Sequence, residues 1–225
     1  MLSVIIPTLN AEETLAQTLT SVQASSPPLV EVLIVDGGST DQTARVAADH
    51  GAKLIHSDPG RGQQLAHGAS MSKGPWMLFL HADSQLPPDW ETDISRFITE
   101  DRNQGLVGYF RLAFDQKSRG ARRVARLANW RADVLGLPYG DQGLLIHRDL
   151  YEYVGGYRRE QNLMEDVDLV QRIGPMRLKR INLTLTTSAS RYRSGGWWAR
   201  PARNLMCLML HLVGAPRGWI ERLYR

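Results

Sequence analysis

An apolar run near the middle of the sequence ends abruptly in polar residues. Residues 76–80 are apolar throughout, and His81-Ala82-Asp83 follows them directly. Gly74-Pro75 and Pro87-Pro88 bound a segment whose length and hydrophobicity are typical of a buried strand in a parallel sheet. Ligands bind beyond the carboxyl ends of such strands, where carboxylates serve as cation ligands or proton acceptors. Asp83 therefore stands where chemistry is usually done, unless it only caps the helix expected after Pro88.

Two earlier strands also end in polar residues. Residues 2–7 lead into Thr8 and Asn10, and residues 30–35 lead into Asp36-Gly37-Gly38-Ser39-Thr40-Asp41. Parallel strands share one carboxyl edge of their sheet. We therefore expect these two loops to converge with the loop that follows the central apolar run.

Gly60-Arg61-Gly62 combines a flexible backbone with a guanidinium group. This combination suits phosphate oxygens at a helix N-terminus, although an ordinary glycine turn with a solvated Arg61 explains it equally well. The first strand is not followed by Gly-x-Gly-x-x-Gly, and the sequence has no Gly-x-x-x-x-Gly-Lys-Ser/Thr. Dinucleotide and P-loop nucleotide sites are therefore disfavoured.

The elements that must position these residues alternate between strand and helix. Asn10 with Glu13 predicts a capping box at the start of a helix with one apolar face. Further helices are expected over 42–50 and after Arg61, with a short strand over 53–56 between them. This alternation predicts an α/β fold with one doubly wound, mostly parallel, Rossmann-like sheet.

Length and composition favour a single domain with a full core. The chain has 225 residues, of which 43% are hydrophobic. Its one cysteine, Cys207, excludes an intramolecular disulfide and a multi-cysteine metal site, and it fits a reducing compartment. The apolar neighbours of Cys207 indicate a packing role. Because the first residues lack a basic leader, we expect no signal peptide or N-terminal anchor, and a cytoplasmic protein.

Positive charge is concentrated at the C-terminal end. The net charge is +4, but after Asp168 the chain carries many Arg and Lys and only one acid, Glu221. Such a segment attracts a diphosphate, an anionic membrane surface or nucleic acid. No nucleic-acid motif accompanies it, so we expect no nucleic-acid partner. The apolar run over 205–213 is too short to span a bilayer and is either core or an interfacial anchor.

The second half also has polar residues at the ends of its elements. A strand is expected over 106–114, followed by a helix over 118–135 whose arginines form a solvated face or lie on an anionic lipid surface. Residues 139–143 then precede an apolar strand. Glu165-Asp166 opens another helix, where acidic residues ordinarily do no more than favour the helix dipole.

Three motifs in this order resemble a known family. Val4-Ile5-Ile6-Pro7-Thr8-Leu9-Asn10, Val35-Asp36-Gly37-Gly38-Ser39-Thr40-Asp41 and Leu80-His81-Ala82-Asp83 together resemble the nucleotide-sugar domain of family-2 inverting glycosyltransferases with the GT-A fold. The resemblance spans most of the chain and implies one domain over 1–225. Its parts would be a nucleotide-sugar half (1–105), an acceptor and catalytic half (106–196) and a basic helical segment (197–225).

The resemblance implies roles for individual residues. Those lining the nucleoside pocket would be Pro7, Thr8, Asn10, Asp36 and Gly37. Arg61 would approach the base or the diphosphate. Asp83 would hold a divalent ion between the two phosphates, because a hard cation prefers carboxylate and phosphate oxygens and neutralises a departing diphosphate.

Two departures from the family pattern concern the base and the metal. The family usually has two acids where this chain has Asp36-Gly37, and Asp-x-Asp where this chain has His81-Ala82-Asp83. One carboxylate therefore remains at the metal position. His81 would act as a second ligand and favour Mn²⁺ over Mg²⁺, or it would only form hydrogen bonds.

The acceptor half would supply the catalytic carboxylates. The resemblance aligns Glu165-Asp166 with the family's catalytic pair, so Asp166 would take the proton from the acceptor hydroxyl, and Glu165 would orient the acceptor or Asp166. Asp141 and Gln142 would face the sugar or the acceptor, unless residues 140–143 are simply a loop. Arg191 would clamp the diphosphate, and Trp197 would stack on a sugar face or belong to a buried tryptophan pair.

The expected function is inverting transfer of a sugar from a UDP- or GDP-linked donor to an unidentified hydroxyl acceptor, assisted by Mn²⁺ or Mg²⁺. A nucleotide-sugar-binding protein without transferase activity is the alternative suggested by Gly37 and His81. A nucleotidyltransferase of similar topology is less consistent with the sequence, because the Gly-rich basic first loop of such enzymes is absent.

Overall fold

The computed structural model describes residues 1–24, 30–190, 192 and 196–224. Within these residues one sheet of eight strands runs in the order β3-β2-β1-β4-β7-β6-β8-β5. The strands are β1 (Leu2–Thr8), β2 (Val30–Asp36), β3 (Lys53–His56), β4 (Trp76–Phe79), β5 (Ser84–Gln85), β6 (Val107–Phe114), β7 (Leu144–His147) and β8 (Leu178–Thr187).

The sheet divides into a parallel part and a mixed part. Strands β3, β2, β1 and β4 are all parallel neighbours. Strand β7 is antiparallel to both β4 and β6, while β6 and β8 are parallel and β5 is antiparallel to β8. The predicted mostly parallel α/β sheet is confirmed, and the division of the chain into a nucleotide-sugar half and an acceptor half stays a prediction.

Helices cover both faces of the sheet. They are α1 (Glu12–Gln23), α2 (Thr43–Asp49), α3 (Arg61–Met71), α4 (Trp90–Ile98), α5 (Arg119–Leu135), α6 (Arg148–Tyr153), α7 (Glu165–Ile173), α8 (Ala199–Leu212) and α9 (Arg217–Tyr224). Short 3-10 turns occur at Asp101–Gly105, Gly140–Gln142 and Pro175–Arg177.

Alternate residues of β1 pack against opposite layers of helices. Val4 and Ile6 belong to the apolar cluster that contains Leu15 of α1, whereas Ile5 belongs to the cluster that contains Leu65 of α3. Successive side chains of a strand point to opposite faces, so a strand that is apolar throughout must be covered on both sides. The two clusters fix the parallel part between two helical layers.

The predicted capping role of Asn10 is wrong. Helix α1 begins at Glu12 with Ala11 as its N-cap and has no side-chain cap. Asn10 has a left-handed backbone, with φ of 50°. Its Oδ1 accepts a hydrogen bond from the backbone N–H of Thr40 (2.9 Å) instead. This bond links the loop that follows β1 to the loop that follows β2.

The C-terminal helices form a separate packed layer. Cys207 and Leu208 of α8 are buried against Met164, Val167 and Ile220, which confirms the packing role predicted for the cysteine. Among the helices that the structure describes, none has both the length and the apolar character needed to cross a bilayer.

We predict that Gly62→Ala destabilises the fold. A Cβ at Gly62 would collide with the backbone carbonyl oxygens of Arg158 and Gln161, and the Gly62 N–H already donates to the latter (3.1 Å). Backbone atoms yield less than a flexible side chain, so we expect a loss of about 1–3 kcal/mol in unfolding free energy. Urea unfolding would measure it.

Gly105→Ala is the matched control, because nothing lies within 4 Å of a Cβ at Gly105. Equal stability losses in the two variants would contradict the packing explanation.

Candidate functional site

A cleft of about 560 Å³ opens at the carboxyl ends of the parallel strands. It receives residues from both halves of the chain. Of the residues singled out in the sequence, those that line it are Pro7, Thr8, Asn10, Arg61, His81, Asp83, Asp141, Glu165 and Asp166.

The first two strand-end loops are joined around Asp36. This carboxylate is buried and accepts hydrogen bonds from Thr8 Oγ1 (3.1 Å) and from the backbone N–H groups of Gly38 (3.1 Å) and Ser39 (2.9 Å). Burial alone would raise the pKa of Asp36, but the bonds from Ser39, Thr8 and Gly38 outweigh it and lower the pKa. Asp36 therefore supports the loops from behind the cleft.

Gly37 also supports the strand-end loops. Its N–H donates to the carbonyl oxygen of Thr8 (3.0 Å). Gln64, which sequence reasoning missed, donates from Nε2 to the carbonyl oxygens of Thr8 (2.7 Å) and Val35 (2.8 Å). Gln64 is buried and lines the cleft. The sequence feature that could have indicated this role is a polar residue next to apolar Leu65 in the helix predicted after Arg61.

Arg61 links the two halves of the site. Its Nε lies 2.6 Å from Oε1 of Glu165 in an ion pair that lacks hydrogen-bond alignment, and its Nη2 contacts Nε2 of His81. Burial raises the pKa of Glu165 to about 7, against the lowering effect of Arg61 and with a further raising effect from Asp166. The guanidinium predicted to meet phosphate thus faces a carboxylate on α7.

His81 and Asp83 stand together at the end of β4. The Nδ1 of His81 lies 3.9 Å from Oδ1 of Asp83, and both side chains are largely buried. Arginine can only donate, so the contact with Arg61 requires Nε2 of His81 to be the acceptor, which places the proton of a neutral ring on Nδ1. The 3.9 Å separation is too long for a direct hydrogen bond, and ligation of a cation by His81 stays a prediction.

A metal ion here would need ligands from outside the protein. Among the described residues, no three His, Cys, Asp or Glu side chains cluster closely enough to hold an ion by themselves. Divalent cations in phosphate-binding sites commonly take one or two carboxylates, with substrate phosphates and water as the remaining ligands. Asp83 on the cleft wall fits such a partial set.

Asp166 is held by two backbone donors. Its Oδ2 accepts from the N–H of Gly140 (2.6 Å) and its Oδ1 from the N–H of Val167 (2.8 Å). A Cβ at Gly140 would lie 2.5 Å from Nε2 of His81 and 3.2 Å from Nη2 of Arg61. The absence of a side chain at Gly140 lets the backbone reach the carboxylate.

Asp141 and Gln142 have different positions. Asp141 lines the cleft, and its Oδ1 is buried without a hydrogen-bond partner. Burial raises its pKa to about 6, opposed by Arg131 and reinforced by Asp166. Gln142 is fully buried, donates to the carbonyl oxygen of Phe110 (3.2 Å) and accepts from Arg131 (3.2 Å). Only Asp141 faces the cleft space.

Trp197 does not line the cleft. Its ring stacks on Tyr192 at 4.9 Å between centroids and meets Phe114 edge-on at 5.5 Å. Tyr192 lines the cleft in its place. Arg191 lies outside the described residues.

The C-terminal helices supply part of the cleft wall that sequence reasoning missed. Arg200 and Asn204 of α8 and Tyr224 of α9 line the cleft. The spacing of four between Arg200 and Asn204 places both on one face of a helix and was the available signal.

A sequence profile described as Glycosyl transferase family 2 matches residues 3–178. The chain belongs to glycosyltransferase family 2. A relative from Mycobacterium bovis, named PGL/p-HBAD biosynthesis glycosyltransferase, is 36% identical over 115 residues, 48% of this chain and 45% of that protein. EpsE of Bacillus subtilis, also named as a glycosyltransferase, is 29% identical over 74% of this chain and 64% of its own length. The family-2 chain thus spans about half to two thirds of these curated relatives.

Solved structures of low sequence identity confirm the GT-A fold of this family-2 chain. S. aureus TarS 1-349 in complex with UDP has a TM-score of 0.66 at 18% identity, over 99% of this chain and 69% of that one. Glucosyl-3-phosphoglycerate synthase from Mycobacterium tuberculosis, in complex with Mn²⁺, UDP and glucosyl-3-phosphoglycerate, has a TM-score of 0.63 at 21% identity, over 96% and 81%.

We predict that Glu165→Gln flattens the pH dependence of stability. The pKa of Glu165 rises from an ordinary 4.5 to about 7. Between these values the folded protein holds a proton that the unfolded chain has released, so its stability falls as the pH rises. Glutamine removes this fall, which is on the order of a few kcal/mol. Denaturant unfolding from pH 4.5 to 8 would measure it.

Glu91→Gln on α4 is the control and should keep the wild-type pH profile. A Glu165→Gln variant with an unchanged slope would show that the carboxylate is not held protonated by burial.

Proposed function

We propose that this protein transfers a sugar from a nucleoside-diphosphate donor to a hydroxyl acceptor with inversion. One observation carries the proposal: the strand-end carboxylate of Asp83 and the helix-opening carboxylate of Asp166 line one cleft in a family-2 chain. Inversion needs a leaving group on one side of the sugar and a base on the other. Asp83 would lie on the side of the leaving diphosphate and Asp166 on the side of the base, as inversion requires.

The donor would lie against the strand-end loops. Pro7, Thr8 and Asn10 line the cleft there, and Asp36 and Gly37 hold their backbone from behind. The TarS and glucosyl-3-phosphoglycerate synthase structures contain UDP, which favours a UDP-linked over a GDP-linked sugar as the donor.

A divalent cation would be held at Asp83, with diphosphate oxygens as further ligands. The synthase structure contains Mn²⁺, which supports this assignment. When bound, such a cation neutralises the charge that develops on the departing diphosphate. His81 would lie beside the cation at the end of β4, and Arg61 would hold its ring by donating to Nε2.

Asp166 would take the proton of the acceptor hydroxyl as its oxygen attacks the anomeric carbon. The N–H groups of Gly140 and Val167 fix both of its oxygens, so the carboxylate has one orientation toward the cleft. Glu165 would act as a positioning residue, since its ion pair with Arg61 anchors the start of α7 to the donor half.

Asp141 would hydrogen-bond a hydroxyl of the sugar or the acceptor. Its Oδ1 is buried on the cleft wall without a hydrogen-bond partner, so it is available to accept a hydrogen bond from a ligand hydroxyl. Gln142 would only support this turn. We assign the sugar-facing aromatic role to Tyr192, because Trp197 packs behind it, and the clamp role of Arg191 stays a prediction.

The proposed location is peripheral, on the cytoplasmic face of an anionic membrane. The basis is the excess of Arg and Lys after Asp168, where Glu221 is the only acid in the sequence. Anionic leaflets attract such segments.

A nucleotide-sugar-binding protein without transferase activity is the second candidate. It is favoured by the single carboxylate of the His81-Ala82-Asp83 segment and by the lack of a complete metal ligand set among the described side chains. Calorimetry with UDP and Mn²⁺, paired with an assay of donor turnover, separates the two candidates. Binding without turnover of any nucleotide sugar would favour the second.

We predict that Asp166→Asn separates binding from chemistry. Asparagine cannot accept the acceptor proton, so turnover should fall roughly 10²- to 10⁴-fold. UDP affinity in the presence of Mn²⁺ should survive, because the donor site lies against other elements. The measurement is turnover per folded molecule, since asparagine has one oxygen for the two N–H donors of Gly140 and Val167 and costs some stability.

Near wild-type turnover of Asp166→Asn, once folded protein is counted, would show that the base lies elsewhere. Glu165 and Asp141 would be the next candidates.

We predict that Asp83→Asn abolishes metal-dependent nucleotide binding. The substitution leaves a neutral amide where the diphosphate needs a charged bridge through a cation. Calorimetric titration of UDP with and without Mn²⁺ should show a large metal effect in the wild type and none in the variant. If Mn²⁺ changes the UDP affinity of the variant as much as that of the wild type, Asp83 does not hold the cation.

A further inference from the structure

Helix α8 has an exposed apolar stripe on the side away from its buried residues. Cys207 and Leu208 face the core, whereas the stripe side chains are 45% to 74% exposed. We call the stripe and the neighbouring tryptophan of α9 the C-terminal apolar surface. Its members are Leu205, Met206, Met209, Leu212, Val213 and Trp219.

Helix α5 has a second stripe of the same kind. Leu127, Trp130 and Val134 are spaced by three and four residues, and each is more than half exposed. Spacing of this kind places side chains on one side of a helix. The exposed arginines of the same helix are Arg119, Arg122 and Arg126.

Contacts between side chains bring α5 and α8 together. Trp197, just before α8, packs on Gly120 of α5. The guanidinium of Arg123 lies 3.3 Å above the ring of Trp198 and also donates to the carbonyl oxygen of Trp197 (2.9 Å). The two stripes therefore belong to neighbouring helices.

The charges around the two stripes favour an anionic lipid surface over a second copy of the protein as the binding partner. Arg119, Arg122, Arg126 and Arg222 are exposed near apolar side chains, and after Asp168 the sequence has a single acid. A second copy in a two-fold interface would set the same cations against each other. A bilayer with anionic headgroups accepts apolar side chains and attracts arginine at once.

We propose that the C-terminal apolar surface, flanked by the exposed side of α5, docks on an anionic lipid bilayer. Docking needs no span, in keeping with the lengths of the described helices. The apolar side chains enter the boundary between headgroups and acyl chains, and the arginines meet phosphate groups.

The docked helix also borders the cleft. Asn204 lines the cleft and Leu205, the next residue, belongs to the C-terminal apolar surface. A helix with its side chains is roughly 10 Å wide, so the cleft rim would lie about that far from the bilayer. If the proposed transferase function holds, the acceptor hydroxyl belongs to an amphiphile in that membrane.

Vesicle flotation at low salt tests the docking itself. The probes are vesicles of phosphatidylcholine alone and of phosphatidylcholine mixed with phosphatidylglycerol. Wild-type protein should float with the mixed vesicles only, and binding should fade as salt is raised. Met209→Glu should weaken binding at least about tenfold, since one buried apolar side chain contributes that much or more.

Met176→Glu is the matched control, because Met176 is 92% exposed and lies in the turn before β8. It should float like wild type. Arg122→Glu should weaken binding to mixed vesicles without changing an apolar residue, which tests the charge contribution separately.

Three results would overturn the proposal. They are no flotation of wild type with mixed vesicles at low salt, equal flotation of Met209→Glu and wild type, and a wild-type dimer that Met209→Glu dissociates. UDP affinity, measured calorimetrically on the same variants, should be unchanged. A failure of docking is thereby distinguishable from a failure of the proposed transferase function.

Discussion

The buried ion pair between Arg61 and Glu165 joins the two halves of the site. Arg61 is the first residue of α3, on the side of the loops that follow β1 and β2. Glu165 is the first residue of α7, on the opposite side of the cleft. Only Glu165 is deeply buried; burial raises its pKa and Arg61 lowers it, so loss of Arg61 leaves the buried carboxyl without this partner. The ion pair also positions Asp166 and Gly140, because Asp166 follows Glu165 and Gly140 packs against both Arg61 and Asp166. The geometry of the cleft thus depends on one contact between elements far apart in sequence.

Much of the fold was predictable because its signals are local. Apolar runs that end in polar residues, alternating with helical patterns, predict parallel strands whose loops share an edge. The position of β7 between β4 and β6 was not predictable, because it depends on the pairing of residues 76–79 with 144–147. Asn10 failed as a cap for the same reason, since its partner Thr40 is thirty residues away.

The site was predictable where topology places a residue and unpredictable where packing does. Asp83 and Asp166 reach the cleft because one ends a strand at the sheet edge and the other opens a helix facing it. Gln142 and Trp197 have equally suggestive sequence neighbours, but one lies beneath the cleft and the other behind Tyr192. Which side of a turn or ring faces solvent is decided by long-range contacts that a local pattern does not contain.

Part of the cleft wall comes from residues that follow β8 in the chain. The family profile ends at residue 178, whereas Ser190, Tyr192, Arg200 and Asn204 all come later in the chain. The cleft therefore joins a side that the family profile covers to a side that it does not. Substitutions after β8 can reshape one side of the cleft while the loops at the carboxyl ends of the parallel strands stay as they are.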